Sequence, residues 1–216
     1  CIRDRTGPVW LWALVSGGVG LQMLNEYAMH RFLFHLPPPR EQWKFDLLYR
    51  AHYGHHDFPT CPSLFFVPAF VALPMLALHV LAAALVGELL LPGMGWRVAA
   101  AVTLTGGVGT FLVYEWFHMT AHLPVRRSRL EQHVTTLHNQ HHFRDFTRWF
   151  HVSPGGEVID RALGTAISRD ALKAKSRAEF IRTLGLRPDD PRLLSARTRI
   201  AQAHGVSAAE IARAAT

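Results

Sequence analysis

The sequence predicts an all-α protein that is embedded in a membrane, and three observations lead to this prediction. The first is composition: 49% of the 216 residues are hydrophobic and 18% are charged, which is a more apolar balance than that of an average soluble domain. The second is the length of the apolar stretches, which cover about residues 8–24, 64–91 and 98–117. The third is the short turn between the last two stretches. Because a helix rises about 1.5 Å per residue, about 20 apolar residues cross a hydrocarbon core about 30 Å thick.

Each stretch has a feature that favours a membrane helix. The first stretch includes Trp10 and continues as a helical pattern toward Phe34. The second stretch is interrupted by only two polar residues, His79 and Glu88. The buried helices of a soluble all-α protein, which are the alternative, are seldom so apolar. The Pro-Gly-Met-Gly loop at 92–95 joins the second stretch to the third, so the two are predicted to form a tight membrane hairpin.

Histidine is the unusual residue of this chain, because ten of the 14 histidines fall into four tight groups. The groups are His30 and His35; His52, His55 and His56; His118 and His122; and His138, His141 and His142. Positions i, i+3 and i+4 share a helix face, so each His-x-x-His-His motif is expected to present its three imidazoles in one direction. The five-residue spacing of the first group does not fit one straight face. Its helix is therefore expected to end near His35, before the three prolines that follow.

This density of histidine predicts a metal site. Neutral imidazole is a strong ligand for iron, zinc, copper and nickel, and ten ligands are about right for two ions. Solvated or core histidines are the alternative, but clustered imidazoles without metal would repel one another whenever they are protonated. Isolated histidines are assigned to that alternative, and they are His79, His133, His151 and His204. His79 is expected to pack against or bond to a neighbouring helix.

Three carboxylates are candidates for hydrogen bonds to the ligand histidines, which usually give their second ring N–H to a carboxylate or a carbonyl. They lie three or four residues from a histidine of the nearest group and are Glu26, Glu115 and Asp145. An ordinary helix-end or surface charge is the alternative for each of them. The two cysteines lie outside the histidine groups, so neither a zinc finger nor an iron–sulfur site is expected.

The hairpin places the histidine groups at one face of the membrane, because both of its ends emerge on the same side. Basic residues are concentrated with the histidines: Arg31, Arg40, Lys44, Arg50, Arg126, Arg127, Arg129, Arg144 and Arg148. The opposite turn carries only Arg97, so the positive-inside rule predicts a metal site on the cytoplasmic side, although Arg3 and Arg5 count against this orientation. The net charge of +7 then suits an anionic membrane surface, and no nucleic acid partner is expected.

The character of the chain changes near residue 165. Residues 1–165 are expected to form the membrane domain, and residues 166–216 a basic, soluble, helical tail. Short amphipathic helices are predicted in the tail at about 169–184 and 207–215. The chain starts with Cys1 rather than Met, which indicates a trimmed or incomplete N-terminus.

The order of the motifs resembles a known family. Residues 26–35, Glu-Tyr-Ala-Met-His-Arg-Phe-Leu-Phe-His, resemble the first histidine box of the fatty acid 2-hydroxylases, within the fatty acid hydroxylase and sterol desaturase superfamily. The similarity continues through His-x-x-His-His, a membrane hairpin, Tyr-Glu-x-x-His-x-x-x-His at 114–122, a second His-x-x-His-His, and Asp-Arg-Ala-Leu-Gly-Thr at 160–165. The resemblance covers about residues 9–165 and leaves the tail outside.

The resemblance implies a membrane oxygenase whose ten histidines hold two metal ions. Iron is the expected working metal, and zinc is the ion that recombinant protein could carry instead. The resemblance also implies O₂ as co-substrate and a lipid substrate such as a fatty acyl chain. Electrons are expected from a separate cytochrome b5-like protein, or from a ferredoxin with its reductase, because the chain has no His-Pro-Gly-Gly haem motif. His151 stands in a segment that departs from the family pattern and is not carried over as a ligand.

Two other functions stay open at this point. Hydroxylation or desaturation of a sterol or carotenoid-type lipid fits the same metal site, and the mass of the product distinguishes these reactions. A membrane metal-binding or transport protein is the alternative of another class. Transport needs polar ligands along the membrane midplane, whereas these histidines are predicted to gather at one interface.

Overall fold

A computed structural model describes residues 9–215, and every regular element in those residues is helical. The all-α class is therefore confirmed for the described part of the chain. The expectations for four N-terminal residues lie outside it: Cys1, Arg3, Arg5 and Pro8. The chain divides into two compact units, Cys1–Ala166 and Ile167–Thr216.

The first unit begins with α1, Trp10–Ala28, which continues without a break into a π-helical turn, π1, Met29–Phe34. In a π-helix each N–H donates to the carbonyl five residues earlier, and the N–H of His35 does so to His30 at 3.2 Å. The helix ends at His35, as the following prolines at 37–39 predict. Single π-helical turns occur frequently at functional sites.

Short helices carry the second histidine group. They are α2, Gln42–Leu48; π2, Tyr49–Tyr53; and α3, Gly54–Asp57, followed by a 3₁₀ turn at Pro62–Leu64. Gly54 lets the chain fold tightly at the junction of π2 and α3, because a Cβ there would lie 2.9 Å from both the ring and the carbonyl oxygen of Tyr49. The close packing holds the neighbouring histidines in a fixed direction.

The predicted hairpin is formed by two long helical segments. The first is α4, Ala69–Leu90; the second is made of α5, Gly95–Ala99, then π3, Ala100–Val108, and then α6, Gly109–His122. Glu88 closes the turn between them, because its carboxylate accepts the N–H groups of Gly93 at 2.8 Å and of Gly95 at 3.1 Å. The polar interruption in the second apolar stretch therefore satisfies backbone donors of the turn.

Two segments among residues 9–215 are long and apolar enough to cross a membrane, Pro62–Leu90 and Gly95–His122. They correspond to the second and third predicted stretches. In the first segment the most apolar window is not buried inside the protein at all, and Leu89 is 73% exposed. Such a surface needs apolar surroundings that the described chain does not supply. α1 is helical throughout, and its crossing of the membrane stays a prediction.

Glycine allows α1 to pack closely against π3. A Cβ on Gly106 would lie 2.5 Å from the carbonyl oxygen of Val15 and 2.9 Å from the Cα of Gly18, so the two backbones touch at this point. Small residues allow this approach between membrane helices. Within the glycine-containing run at 106–109 the close contact is thus located at Gly106, whereas Gly109 faces open space.

The last histidine group lies on α7, Arg129–Phe143. A capping box starts this helix: the Ser128 hydroxyl accepts the N–H of Glu131 at 3.3 Å, and the Glu131 carboxylate accepts the N–H of Ser128 at 2.7 Å. The Arg127 guanidinium donates to three carbonyls at the end of α6, which ties the two helices together. After an irregular segment, α8, Glu157–Ala162, completes the first unit.

The second unit consists of four helical pieces. They are α9, Arg169–Thr183; α10, Pro191–Ala196; π4, Arg197–Ala201; and α11, Ala208–Ala215. α9 and α11 agree with the two helices predicted in the tail, and α10 with π4 was not foreseen. The sequence does contain a start signal for α10, the pair Asp190 and Pro191. The Asp190 carboxylate accepts the N–H of Arg192 at 2.9 Å, and Pro191 occupies the first helical position.

Candidate metal centre

The ten predicted histidines gather into two groups of five, and each group is compact enough to hold one metal ion. Within each group the ligand nitrogens all lie within 4.8 Å of one another. The first group consists of His30, His35, His52, His56 and His141. The second group consists of His55, His118, His122, His138 and His142. The fold therefore brings together histidines from all four sequence motifs.

Each His-x-x-His-His motif contributes to both groups, which corrects the prediction that its three imidazoles point in one direction. The first motif places His52 and His56 in the first group and His55 in the second; the second motif places His138 and His142 in the second group and His141 in the first. The reason is angular. At about 100° per residue, position i+4 lies about 40° to one side of position i, and i+3 lies about 60° to the other side. Adjacent histidines therefore fall into two neighbouring groups.

The π1 turn resolves the five-residue spacing of the first motif. In a π-helix the N–H of residue i+5 donates to the carbonyl of residue i, so this bond holds the backbones of His30 and His35 together. The ring centroids of His30 and His35 lie 5.0 Å apart, and both rings belong to the first group. His35 lies at the end of the π turn with φ −103° and ψ 27°, so the prediction that the helix ends near this residue is confirmed. The histidine spacing itself was the only sequence signal of the π-helix.

The spacing of the Nε2 atoms in the first group fits a shared ion. The Nε2 of His52 lies 3.1 Å from that of His30 and 3.2 Å from that of His35. It also lies 2.9 Å from the Nε2 of His56. Two nitrogens bound at right angles to one ion, each at about 2.0–2.1 Å, lie about 3 Å apart. The observed separations match this value.

The second group has the same spacing and an additional sign that a ligand is needed. The Nε2 atoms of His55 and His118 lie 2.8 Å apart, and those of His122 and His138 also lie 2.8 Å apart. Both ring nitrogens of His142 are buried without a hydrogen-bond partner among the described residues. Buried polar atoms are almost always satisfied in proteins. A metal ion would bind the lone pair of one of the two His142 nitrogens. The residues present therefore fit an ion in each group.

The two groups lie side by side. The ring of His56 in the first group stacks on the ring of His142 in the second, with centroids 4.1 Å apart and an interplanar angle of 16°. His55 and His56 are neighbours in the chain, yet they belong to different groups. The arrangement therefore suits a pair of ions that share one wall of imidazoles.

Two backbone carbonyls set the tautomer of two ligands in the first group. The Nδ1 of His30 donates to the carbonyl of Phe150 at 2.5 Å, and the Nδ1 of His141 donates to the carbonyl of Arg148 at 2.7 Å. A carbonyl can only accept, so each Nδ1 carries the hydrogen and each Nε2 presents its lone pair to the group. Sequence reasoning missed these partners, because a backbone carbonyl leaves no signal in the residue types.

Burial holds the ligand histidines in their neutral form. Desolvation lowers the pKa of His35 from 6.5 to about 4, and desolvation together with the repulsion of neighbouring imidazoles lowers the pKa of His55 to about 3 and of His56 to about 2. The same two causes place the pKa of His30 and of His141 well below the ordinary value. Neutral imidazole is the form that binds metal, so these side chains are ready to bind ions at neutral pH.

The three predicted carboxylates bind backbone and loop groups. Glu26 accepts the N–H groups of two consecutive residues between α7 and α8, at 2.7 and 3.0 Å. Glu115 accepts the N–H of Val67 at 3.1 Å, which ties α6 to the segment before α4. Asp145 accepts the N–H and the hydroxyl of Thr147 at 3.1 and 2.6 Å. Glu26 and Glu115 thus fix the chain around the histidines.

The histidines outside the two groups have other surroundings. His151 is buried and paired with a carboxylate, so it is a core histidine. The His79 ring donates to the carbonyl of Met75 at 2.7 Å, one turn back in its own helix. The hydrogen bond of this nitrogen therefore stays within its own helix, and the alternative expectation, that the ring packs against a neighbouring helix, stays a prediction. His133 and His204 are exposed, in agreement with the prediction.

A cavity of about 280 Å³ adjoins the first group between α1, α4 and the π3–α6 segment. Its wall is mainly apolar, and His30 is the ligand histidine that lines it. At the other end lie His79 and Thr103, whose hydroxyl donates to the carbonyl of His79 at 3.4 Å. Along α4 the cavity extends from Val71 to His79, which is about 12 Å at about 1.5 Å per residue. Sequence reasoning named no substrate-contacting residue, because these side chains are scattered over three helices.

Comparison with known proteins adds a family to this geometry. The sequence profile of the family described as fatty acid hydroxylase matches residues 15–165, which include all ten histidines. A fatty acid 2-hydroxylase of Macaca fascicularis is 29% identical over 139 residues, which cover 63% of this chain and 35% of that protein. A dihydroceramide fatty acyl 2-hydroxylase of Arabidopsis thaliana is 25% identical over 173 residues, which cover 76% and 64%. The chain thus spans about a third of the macaque protein and less than two thirds of the plant protein.

Among solved structures the chain resembles that of full-length Scs7p, in which only the hydroxylase domain is visible. The TM-score is 0.62 and the identity 24%, with 77% of this chain and 60% of that chain covered. At this identity the likeness concerns the fold. The helical architecture of this chain is therefore one that a solved hydroxylase domain shares.

Proposed function

Because the chain belongs to the fatty acid hydroxylase family, we propose that it is a membrane oxygenase that hydroxylates a C–H bond of a lipid, in the first place of a fatty acyl chain. The observation that carries the proposal is the pair of five-histidine groups beside an apolar cavity that reaches His30. Oxidation of an unactivated C–H bond needs a metal centre and a dry chamber in which the carbon is held next to it. His30 belongs to the first histidine group and also lines the cavity, so the proposed metal centre and the apolar chamber adjoin at this residue.

The ten histidines would hold two metal ions, and iron is the metal proposed for the reaction. Bound iron would supply the activation of O₂ and the cleavage of the C–H bond. The protein's own contribution is to hold the imidazoles in position and unprotonated, through burial and through the carbonyls of Arg148 and Phe150. Imidazole-rich sites bind zinc more tightly than ferrous iron, so protein produced without added iron is expected to carry zinc and to be inactive.

The cavity is proposed to hold the hydrocarbon chain of the substrate. Its wall includes Val71, Leu76 and Phe111, and it lies between helices that are long and apolar enough to cross a membrane. A lipid chain can therefore enter from the bilayer without passing through water. Apolar walls exclude water from the reacting carbon, and His30 at the edge of the cavity places that carbon beside the first group.

We further propose the electron donor, the side of the membrane on which the histidines lie and the division of the chain into domains. Electrons come from a separate cytochrome b5-like protein, or from a ferredoxin with its reductase, on the cytoplasmic side. Exposed basic residues flank the histidine-bearing segments on that face: Arg40, Lys44, Arg50, Arg126, Arg129 and Arg144. Residues 1–165 form the catalytic membrane domain, and residues 166–216 form a basic helical tail outside it.

Lipid analysis tests the proposed reaction. Host cells that express the full chain are compared with cells that do not, by mass spectrometry of total lipids. The expected result is a gain of one oxygen atom on acyl chains. The His138→Gln variant, which removes a ligand of the second group, is expected to abolish this product. The matched His133→Gln variant, on the same helix but exposed, is expected to keep it.

Other outcomes of the same experiment decide between the alternatives. A loss of two hydrogen atoms from the acyl chains would replace hydroxylation with desaturation. An added oxygen on sterols or carotenoids instead of acyl chains would change the substrate class. Unchanged lipids, together with metal uptake by vesicles that contain the protein, would contradict the enzyme assignment and favour a metal transporter.

A further inference from the structure

Residues 148–153, between α7 and α8, carry the two carbonyls that accept hydrogen bonds from His30 and His141. They are named the carbonyl segment here. Each residue from 149 to 153 donates its N–H to a group outside the segment. Trp149 is held in the left-handed region at φ 54°, a conformation that a bulky side chain rarely adopts. Such a backbone persists only where its surroundings hold it.

One carboxylate determines the direction of the Phe150 carbonyl. A planar trans peptide points its C=O and its N–H in opposite directions. The peptide that joins Phe150 to His151 donates its N–H to the Asp160 carboxylate at 3.1 Å, so its carbonyl points to the other side, at His30. Asp160 also accepts the N–H of Phe150 at 2.9 Å and is fully buried. The carboxylate therefore locks both peptides around this carbonyl.

The other carbonyl is directed in the same way. The peptide that joins Arg148 to Trp149 donates its N–H to the carbonyl of Thr165 at 3.2 Å, so its own carbonyl points at His141. The Thr165 hydroxyl in turn donates to the Asp160 carboxylate at 2.7 Å. Both carbonyls of the segment thus depend on Asp160, one directly and one through Thr165.

The side chain of His151 contacts the carboxylate of Asp160 and holds it in place. Its Nδ1 lies 3.2 Å from Asp160, and its Nε2 donates to the carbonyl of Met23 in α1 at 2.8 Å. Both partners are acceptors, so both ring nitrogens carry hydrogens and the ring is an imidazolium, stacked on Tyr27 at 5.4 Å. Burial alone would lower the pKa of His151. The hydrogen bond to Asp160, the charge of Glu26 and the Met23 carbonyl outweigh it, so the pKa lies above its ordinary value.

We propose that Asp160 and His151 are positioning residues of the first histidine group: through the carbonyl segment they orient His30 and His141 and so determine the metal affinity of that group alone. The second group receives no carbonyl from the segment. The inference rests on the proposed metal binding and adds to it which buried residues act on which ion. Partners that orient ligand histidines typically contribute about 10- to 100-fold to metal affinity.

Metal titration of the full chain tests the inference without any activity measurement. Metal-free protein in detergent is titrated with Co²⁺ against a competing chelator, and absorbance reports each binding step. His35→Gln, in the first group, and His122→Gln, in the second, assign the two steps. In Asp160→Asn the first-group affinity is expected to fall about 10- to 100-fold while the second-group affinity is unchanged. His151→Gln is expected to act in the same direction.

Asp170→Asn is the matched control, because Asp170 is exposed on α9 in the second unit, and it is expected to bind both ions as the wild type does. Equal weakening of both steps in Asp160→Asn would indicate a merely structural role and overturn the inference. Unchanged affinities would overturn it as well, and the proposed function would stand. Wild-type protein that binds no ion would overturn the proposed function too.

A milder variant keeps the inference testable where Asp160→Asn does not fold. Thr165→Val removes the hydroxyl that donates to Asp160 and keeps the backbone carbonyl that Trp149 contacts. It is expected to weaken the first-group step by a smaller factor and to leave the second step unchanged. Equal affinities in Thr165→Val and wild type would then overturn the inference.

Discussion

The two histidine groups contain the same number of imidazoles but are supported differently. In the first group, backbone carbonyls hold the Nδ1 atoms of His30 and His141. In the second group, the Nδ1 atoms of His55, His118 and His138 are buried without a hydrogen-bond partner among residues 9–215. A ligand whose second nitrogen is held in place is already oriented before the ion binds. Equal ligand numbers therefore do not imply equal metal affinities.

Aromatic packing supports the second group. The ring of His118 stacks on Tyr114, with centroids 5.5 Å apart, and the ring of His55 meets Phe65 edge to face at 6.0 Å. Packing restricts where a ring lies, but it does not select which ring nitrogen carries the hydrogen. The first group has both kinds of restraint, since Phe34 also stacks on His52 at 5.1 Å.

The largest expected effect is that substitutions of two adjacent residues of α7 remove different metal ions. His141→Gln removes a ligand from the first group, and His142→Gln removes one from the second. We expect each variant to fall from two bound ions to one, and the lipid product to disappear in both, because one of the two groups then lacks one of its five histidines. Metal analysis after dialysis and lipid mass spectrometry provide the measurements. If both variants kept two ions, or if either lost both, the division into two groups would be incorrect.

A smaller effect is expected in the order of metal loss. Because the ligands of the first group are held by carbonyls, its ion should dissociate more slowly, with a difference of about 10-fold or more. Zn²⁺ release from the wild type into excess chelator is expected in two phases of equal amplitude. The slow phase should be missing in His35→Gln and present in His122→Gln. A single phase in the wild type would show that the carbonyl segment confers no difference.

The smallest effect concerns the pH dependence of the pair of His151 and Asp160, which supports the first group. The pKa of His151 is raised above 6.5, so its contribution to stability is fully present below pH 6.5 and is lost as the pH rises through the raised pKa. Hydrogen bonds lower the pKa of Asp160 although burial opposes them, so its contribution is present above pH 3.8 and is lost as the pH falls through the lowered pKa.

We therefore expect the advantage of the wild type over His151→Gln in unfolding temperature to be largest between pH 3.8 and 6.5 and to shrink above that range. Thermal unfolding of metal-free protein from pH 4 upward measures it. The acidic groups that act on the His151 ring are Asp160 and Glu26, and the ring of Tyr27 stacks on it. An advantage that grows toward alkaline pH would contradict the imidazolium assignment.

The hairpin and the ten histidines that cluster could be predicted because local sequence encodes them. Two long apolar stretches around a Pro-Gly turn allow one arrangement, and ten histidines at helical spacing stand out from the composition. The division of each motif between two groups could not be predicted, because it depends on where helices from distant parts of the chain present their faces. His55 and His56 differ by one position in sequence, yet His55 joins the group that contains His118 of α6, and His56 joins the group that contains His30 of π1.

The role of His151 shows the same limit. As an isolated histidine it was expected to be either solvated or in the core, and the structure places it in the core, with partners from Met23 and Asp160 in two other parts of the chain. The Glu26 carboxylate was a candidate for a hydrogen bond to the histidine four residues away, with an ordinary helix-end or surface charge as the alternative. It binds instead the N–H of Val152 and of Ser153, because their backbone approaches it from the opposite side of the fold.

The sequence by itself determined that this chain is helical, that its long apolar stretches suit a bilayer and that ten clustered imidazoles are available to bind metal. These properties depend on residue type and on spacing along the chain, and both are given directly by the sequence. Only the tertiary structure decided which imidazoles share a centre, which carbonyls orient them and where the cavity meets His30. Backbone carbonyls and cavities carry no residue-type signal, and they arise only when distant segments pack together.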